Sequence, residues 1–193
     1  MNPGKTESLR LFFALWPDDA TRTELMRLQA SIRGRLIPYS NLHLTLAFLG
    51  QQPAALVPDL QEILSRLAAE TANLKLDRVG YFSRTHIAWA GTHETPQELL
   101  QLAQELTLAL AQHGIRLNNP RDFTPHITLA RDAAPPQDFN FEPIAWRAHQ
   151  AALVQSDTMP EGSVYRVLAS RSLDEKCWQT EERESTTYPR PAR

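Results

Sequence analysis

The sequence has one cysteine and no long hydrophobic run among its 193 residues. A single thiol, Cys177, cannot form an internal disulfide, so a reducing compartment is the simplest inference. The longest apolar stretch near the start, residues 11–16, is far too short to span a membrane, and no signal-peptide pattern precedes it. These absences predict a cytoplasmic protein with no membrane partner.

The sequence also lacks a strong charge of either sign and the glycine-rich motifs that bind nucleotides. Its formal net charge of −2 argues against a broad polybasic surface, so any contact with nucleic acid should be local. It contains no glycine-rich phosphate loop, no G-x-G-x-x-G and no G-x-S-x-G. Chemistry that depends on a nucleoside triphosphate, a dinucleotide or a serine elbow therefore has no support.

The predicted elements repeat in the same order along the chain. The first unit is a strand at residues 11–16, an amphipathic helix and a strand at 43–50. The second unit is a strand at 86–91, a helix and a strand at 126–132, and Thr95 is the predicted N-cap of that second helix. We interpret the repetition as two half-domains related by pseudo-symmetry.

Further elements are predicted outside the two units. A second helix follows Pro53, and a strand at 73–82 forms a hairpin with the first strand of the second unit. Two late strands at 144–154 and 163–170 are joined by a turn at 159–162.

Each unit ends in a strand that carries the pattern H-x-T. Side chains alternate along a strand, so His43 and Thr45 should share one face, and His126 and Thr128 one face of the other strand. If the units pack about a pseudo-two-fold axis, two imidazoles and two hydroxyls meet in a cleft. A neutral and a protonated imidazole can then act as base and acid on a phosphodiester, while hydroxyls donate to its oxygens.

Other interpretations of these histidines stay open. A lone strand histidine is usually structural, and only its repetition at an equivalent place favours a site. A zinc site needs a third ligand, and neither motif carries aspartate, glutamate or cysteine at ligand spacing, so we expect no metal and no cofactor. The remaining histidines are more typical of structural or solvated positions: His86, His93, His113 and His149.

The words "HLTL" at 43–46 and "HITL" at 126–129 resemble the two motifs of the 2H phosphoesterase superfamily. With "LRLFFAL", "HIAWAG" and "FTPHITLARD", they make residues 9–172 most similar to the bacterial RNA 2′,3′-cyclic phosphodiesterases, also called LigT-like proteins or 2′-5′ RNA ligases. The resemblance implies an α+β, bilobal, pseudo-two-fold fold, in which two antiparallel-rich sheets line a central cleft and helices lie outside. One domain is expected at 1–179, followed by a mobile tail at 180–193.

The same resemblance implies the chemistry. A 2′,3′-cyclic phosphate would open without metal to a 2′-phosphomonoester, with His126 as proton acceptor, His43 as proton donor, and Thr45 and Thr128 on the phosphate oxygens. The reverse step with an RNA 5′-hydroxyl would make a 2′-5′ bond. The expected partner is an RNA end or a small nucleotide, and the expected state is a monomer. Another cyclic phosphate, such as that of ADP-ribose, and a non-catalytic module that binds RNA ends are the alternatives.

Residues beside the motifs are further candidates. Arg131 is a candidate phosphate ligand, although strict alternation places it opposite His126 unless the strand twists or ends there. Phe48 is a candidate surface for base stacking, although the same alternation favours core packing. Three arginines could form a basic rim for an RNA end or be plain surface residues: Arg33, Arg35 and Arg121.

Overall fold

The computed structural model describes residues 7–68, 70–115, 117, 123–137, 140–159 and 162–173. Several predictions concern residues outside this described part: the end of the domain at 179, the tail at 180–193, Cys177, Arg121 and the tip of the late turn at 160–161. Among the described residues, no helix is both long enough and apolar enough to cross a membrane.

Three α-helices form in the described part of the chain, where apolar residues recur at helical spacing: α1 (Asp19–Gln29), α2 (Val57–Arg66) and α3 (Gln97–Gln112). The carboxylate of Asp18 caps α1 by accepting a 2.7 Å hydrogen bond from the backbone N–H of Thr21. The predicted Thr95 cap of α3 is wrong, because this helix begins only at Gln97. Its N-cap is Pro96, which has no side-chain hydrogen bond to offer.

Ten strands form in the described residues, and all of their pairings are antiparallel. They are β1 (Ser8–Leu15), β2 (Arg35–Leu36), β3 (Leu44–Pro53), β4 (Ala72–Leu76), β5 (Arg78–Phe82), β6 (Ile87–Gly91), β7 (His126–Arg131), β8 (Ile144–Ala148), β9 (Gln150–Met159) and β10 (Gly162–Ser172). Eight of them form one sheet in the order β10-β9-β1-β3-β7-β6-β5, with β2 paired to β7. Strands β4 and β8 form a separate two-stranded sheet.

The large sheet is symmetric about the boundary between β3 and β7. On one side β3 is followed by β1 and β9, and on the other side β7 is followed by β6 and β5. In each half a helix lies between the two inner strands along the chain, α1 between β1 and β3 and α3 between β6 and β7. The predicted α+β class and the two pseudo-symmetric half-domains are therefore confirmed.

The two predicted sheets meet at this boundary and continue as one hydrogen-bonded sheet. A single pair of residues, Leu44 and Ile127, joins β3 to β7. Their side chains are 1% and 0% exposed, so apolar packing holds the halves together where the hydrogen-bonded ladder is short. The small β4–β8 sheet lies beside α1.

Two segments predicted as single strands are each divided between the two sheets. Residues 73–82 break at Asp77, whose carboxylate accepts from the backbone N–H of His93 at 2.9 Å. Residues 144–154 break at His149. Periodicity is continuous through both breaks, so the sequence alone does not reveal where the chain leaves one sheet for the other.

The helices cover one face of the large sheet, and the site described below lies on the opposite face. Along β1, Leu11, Phe13 and Leu15 belong to the main core, which also contains the buried leucines of the helices. Phe12 and Ala14 point the other way and belong to a separate small cluster. The helices therefore leave the second face of the sheet free to form a cleft.

Candidate active site

The two motif histidines meet at the centre of the large sheet. His43 directly precedes β3 and His126 opens β7, next to the Leu44–Ile127 pair that joins these strands. All six residues predicted for the site line one cleft of about 180 Å³: His43, Thr45, Phe48, His126, Thr128 and Arg131. The pseudo-symmetric strands thus bring both imidazoles and both hydroxyls to one place.

Each imidazole is held by a hydrogen bond to the backbone two residues before it. The Nδ1 atoms of His43 and His126 each lie 2.7 Å from a carbonyl oxygen, that of Asn41 and that of Thr124 respectively. A carbonyl oxygen only accepts, so Nδ1 carries the proton in both neutral rings. Nε2 is then the basic nitrogen, and in His43 it lies 3.1 Å from the hydroxyl oxygen of Thr45.

Aromatic side chains surround both imidazoles. The ring centroids around His43 are those of Phe12 at 4.9 Å, Tyr165 at 5.2 Å and Trp16 at 5.9 Å. The ring centroids around His126 are those of Phe82 at 5.1 Å and Trp89 at 6.2 Å. These rings limit the rotation of each imidazole and remove water from its faces.

The aromatic surroundings make both imidazoles weaker bases. Burial lowers the pKa of His43 from 6.5 to about 4, and positive charge on His126, Arg131 or Arg22 acts in the same direction, against the hydrogen bond to Asn41. Burial also lowers the pKa of His126, and Arg131 again adds to the effect. Both rings are therefore neutral at pH 7 in the free protein.

A β-bulge in β3 changes the face that its later residues occupy. Thr45 and Ala47 pair with consecutive residues of β1, which leaves Leu46 as an extra residue. Leu46 and Ala47 are both buried, and Phe48 returns to the face of the cleft with half of its surface (50%) exposed. The expectation of core packing for Phe48 is therefore wrong.

The same bulge occurs at the equivalent place in β7. Thr128 and Ala130 pair with consecutive residues of β6, which leaves Leu129 extra. Leu129 and Ala130 are both buried, so Arg131 returns to the face of His126 and lines the cleft. Strict alternation would have placed Arg131 opposite His126. The bulge shifts the alternation by one residue and so brings Arg131 into the cleft.

Several residues that line the cleft were not predicted from the sequence: Arg10, Phe12, Ile37, Asn41, Ile87, Ser156, Ser163 and Tyr165. Alternation along β1 could have identified Phe12, because its neighbours on both sides face the helices. Tyr165 carried no signal, because β10 lies outside the two repeated units. The guanidinium of Arg10 lies 4.9 Å from the ring centroid of Phe48 and so packs on that exposed ring.

The other four histidines do not line the cleft: His86, His93, His113 and His149. Nδ1 of His93 lies 3.0 Å from a carboxylate oxygen of Asp77, and Nδ1 of His86 lies 2.8 Å from the hydroxyl oxygen of Tyr81. Within the described part of the chain, histidine, cysteine, aspartate and glutamate form no group of three or more that could hold a metal ion.

The chain resembles known proteins over most of its length. The family described as the 2′-5′ RNA ligase superfamily matches residues 17–159, which include both motifs. The chain is 37% identical over 145 residues to the RNA 2′,3′-cyclic phosphodiesterase of Escherichia coli (strain K12), covering 70% of this chain and 82% of that protein. It is 34% identical over 183 residues to the enzyme of the same name from Thermus thermophilus, covering 86% of this chain and 90% of that protein.

The fold is also similar to that of a solved bacterial protein. The structure of E. coli LigT complexed with 3′-AMP is similar with a TM-score of 0.75 at 33% identity, over 88% of this chain and 100% of that chain. The family predicted from the two H-x-T-x motifs is confirmed. The chain belongs to the 2′-5′ RNA ligase superfamily and is a homologue of its bacterial RNA 2′,3′-cyclic phosphodiesterases.

Proposed function

We propose that this protein hydrolyses 2′,3′-cyclic phosphates at the ends of RNA or on small nucleotides to 2′-phosphomonoesters, with two histidines as acid and base. One observation carries the proposal. Two imidazoles in the same tautomer, each fixed through Nδ1 to a backbone carbonyl, line one cleft together with two threonines. Nε2 of each ring is therefore the nitrogen that is able to exchange a proton with a bound phosphate ester.

The proposed step balances in atoms and protons. Nε2 of His126 takes a proton from a water molecule, whose oxygen attacks the phosphorus. The bond from phosphorus to O3′ breaks, and O3′ takes a proton from Nε2 of His43. The products are a 2′-phosphomonoester and a free 3′-hydroxyl. The assignment of acid and base follows the family, because the pseudo-symmetric geometry serves either direction.

Hydrogen-bond donors in the cleft suit the charge that grows on the phosphoryl oxygens. The hydroxyls of Thr45 and Thr128 and the guanidinium of Arg131 line the same cleft as the two imidazoles. In the proposal they donate to the non-bridging oxygens, whose negative charge increases in the transition state. The exposed ring of Phe48 offers a surface on which the terminal base could stack.

The low pKa values suit the base in the free protein and the acid only once the substrate is bound. A base must be unprotonated, and the lowered pKa of His126 keeps it so at neutral pH. An acid must be protonated, and the pKa of His43 is too low for this in the free protein. The negative charge of a bound cyclic phosphate raises the pKa of a neighbouring imidazole, so binding the substrate favours uptake of the missing proton.

A different nucleophile defines a second reaction of the same site. If an RNA 5′-hydroxyl replaced water, the same acid and base would join two ends through a 2′-5′ bond. The bound 3′-AMP in E. coli LigT supports a nucleotide as ligand. A cyclic phosphate on another small nucleotide, such as ADP-ribose, would be opened by the same acid and base.

The test is hydrolysis of an RNA oligonucleotide with a 2′,3′-cyclic phosphate end in excess EDTA. A 2′-phosphate product is expected, identified by ³¹P NMR. His43→Ala and His126→Ala should each lower kcat by about 10² to 10⁴-fold and leave binding of the substrate within about tenfold. His149→Ala is the matched control, because its Nδ1 lies 3.0 Å from the carbonyl oxygen of Arg147 in the same arrangement outside the cleft.

Several results would contradict the proposal. Turnover that needs added metal excludes two-histidine catalysis as the whole mechanism. Retained turnover in both alanine variants rejects the proposed roles. Binding of cyclic-phosphate ends without turnover in the wild-type protein instead identifies a module that binds RNA ends.

A further inference from the structure

A groove continues from the cleft along the same face of the protein. It has a volume of about 850 Å³, and the residues that it shares with the cleft are Arg10, Ile37, Asn41, Arg131, Ser163 and Tyr165. Strand β2 and the residues just after it contribute to its lining, and so do the described ends of β9 and β10. We call it the arginine groove; its other described lining residues are Arg35, Leu36, Pro38, Ser40, Thr158, Met159, Gly162 and Val164.

The arginine groove concentrates positive charge on a protein with a net charge of −2. Its described lining residues include three arginines, Arg10, Arg35 and Arg131, and no aspartate or glutamate. Arg35 forms an exposed ion pair of 3.1 Å with Asp132 through Nε. Such surface pairs contribute little free energy, so a phosphate can replace or share this partner at small cost. The groove is thus an attractive path for an anionic chain.

Exposed apolar side chains line the same groove. Leu36, Met159 and Val164 are 43%, 48% and 52% exposed, and all three line the groove. A surface that combines cationic and apolar groups suits a single strand of nucleic acid, because its phosphates and its base faces lie side by side. A purely electrostatic patch would not require large apolar groups at its surface.

The volumes of the cleft and of the arginine groove also favour a substrate longer than one nucleotide. Sites that enclose small ligands generally have volumes of about 300 to 1,000 Å³. The catalytic cleft has about 180 Å³, enough for the reacting phosphate and part of its ribose, whereas the adjoining groove has about 850 Å³. Together the two spaces reach the upper end of this range, so a mononucleotide held at the histidines leaves room in the groove for further nucleotides.

We propose that the arginine groove binds the nucleotides on the 5′ side of the terminal cyclic phosphate, so that the protein selects oligonucleotide ends over mononucleotides. This inference rests on the proposed function. The polarity follows from chemistry, because the 2′ and 3′ oxygens of the terminal ribose both belong to the cyclic phosphate. The RNA chain can leave that ribose only through its 5′ oxygen, and the groove is the continuation of the cleft that receives it.

The experiment compares a mononucleoside 2′,3′-cyclic phosphate with a tetranucleotide that ends in the same nucleoside cyclic phosphate. The wild-type kcat/KM should be at least about tenfold higher for the tetranucleotide. Arg35→Ala should lower the ratio of the two kcat/KM values by about three- to tenfold. In this variant, the slope of log affinity for the tetranucleotide against log salt concentration should become shallower by about 0.7 for each phosphate that Arg35 binds.

Two further variants make the result specific. Arg66→Ala is the matched control, because Arg66 is an exposed arginine of α2, ion-paired with Glu62 and outside the groove. It should leave the ratio unchanged. Met159→Glu introduces a carboxylate into the groove without touching Arg35, and it should lower the ratio as Arg35→Ala does.

The outcomes separate this inference from the proposed function. An equal kcat/KM for both substrates in the wild-type protein would overturn the proposal that the groove binds nucleotides. An unchanged ratio in both Arg35→Ala and Met159→Glu would do the same. Neither result would contradict the proposed hydrolysis. If neither substrate turns over, the proposed function fails, and the groove is then judged from binding of a fluorescent tetranucleotide with a 2′-phosphate end. Equal affinity of the wild-type protein and Arg35→Ala in that assay would also overturn it.

Discussion

At the scale of single residues, proton placement is the property on which the site depends. His43 and His126 use Nδ1 in the same way, yet their surroundings differ: three aromatic rings lie around His43 and two around His126. Burial lowers the pKa of both imidazoles, and positive charge on His126 lowers that of His43 further. Above about pH 4 the pair therefore holds at most one proton, as the proposed acid and base require.

The pH dependence of kcat/KM tests this arrangement. The profile reports the free enzyme, in which both histidines have a pKa below the ordinary value of 6.5. In the proposed mechanism activity needs one proton on the pair, so it should be lost below the lower pKa and decline above the higher one. We expect a bell whose maximum lies below pH 6.5. The profile of kcat reports the substrate complex and should lie at higher pH, because the bound phosphate raises both pKa values.

These profiles have clear contrary results. A kcat/KM that rises continuously from pH 6 to pH 9 would show that no imidazolium acts as acid in the rate-limiting step. Identical profiles for kcat and kcat/KM would show that the phosphate charge does not reach the imidazoles.

At the scale of elements, the repeated bulge decides which residues join the histidines. The words "HLTLAF" and "HITLAR" are alike for five positions, apart from one aliphatic exchange, and differ at the sixth, Phe48 against Arg131. Both strands insert an extra leucine before the buried alanine, and both carry the sixth residue to the cleft. One half of the site thus presents an aromatic ring, and the other presents a guanidinium.

The histidines and threonines could be identified from the sequence because strand alternation is a local property. Phe48 was placed wrongly because a bulge depends on the register with a neighbouring strand, which the letters of one strand do not contain. Tyr165 could not be predicted for the same reason, since it approaches His43 from a strand outside the repeated units. The sequence therefore predicts which residues share a face of one strand, but not the register or the contacts between strands.

The β5–β6 hairpin packs Trp89 near His126, and Gly80 lies directly across the hairpin from Trp89. Gly80 pairs with Trp89 across the strands, and a Cβ added at Gly80 would overlap the indole ring. Trp89 is 6% exposed and packs near His126, so it has little room to move. Gly80→Ala should therefore lower the unfolding free energy by about 1–3 kcal/mol and reduce kcat/KM by disturbing His126.

Urea unfolding and kinetics on the same preparations measure both effects. The double variant Gly80→Ala/Trp89→Phe provides the control, since the smaller ring leaves space for the added methyl group. It should recover stability relative to Gly80→Ala alone. Wild-type stability and activity in Gly80→Ala would show that Trp89 can keep its position when residue 80 carries a side chain.

At the scale of the whole molecule, the site belongs to neither half alone. Each half contributes one histidine and one threonine, and the inner strands β3 and β7 share one paired position, Leu44 with Ile127, beside the short pairing of β2 with β7. The duplicated order of elements was visible in the sequence, and it predicted this symmetry. The pairing of β3 with β7 could not be predicted, because Leu44 and Ile127 have the apolar character of residues in any core strand.

The same burial that adjusts the chemistry makes folding depend on pH. In the unfolded chain His43 has its ordinary pKa of 6.5, and in the folded protein its pKa is about 4. As the pH falls from 6.5 towards 4, the unfolded chain binds a proton that the folded protein does not, so the unfolding free energy decreases and then levels off. Each pH unit is worth at most about 1.4 kcal/mol, and the partial exposure of the ring reduces this.

Replacing His43 isolates its share of this acid sensitivity. Between pH 7 and pH 4.5, urea unfolding of the wild-type protein should lose about 2 kcal/mol more than that of His43→Gln. His126 and the carboxylates titrate in both proteins, so their contributions cancel in the difference. An equal loss in both proteins would mean that His43 binds protons in the folded state as it does in the unfolded chain, and the aromatic enclosure would then have no effect on its basicity.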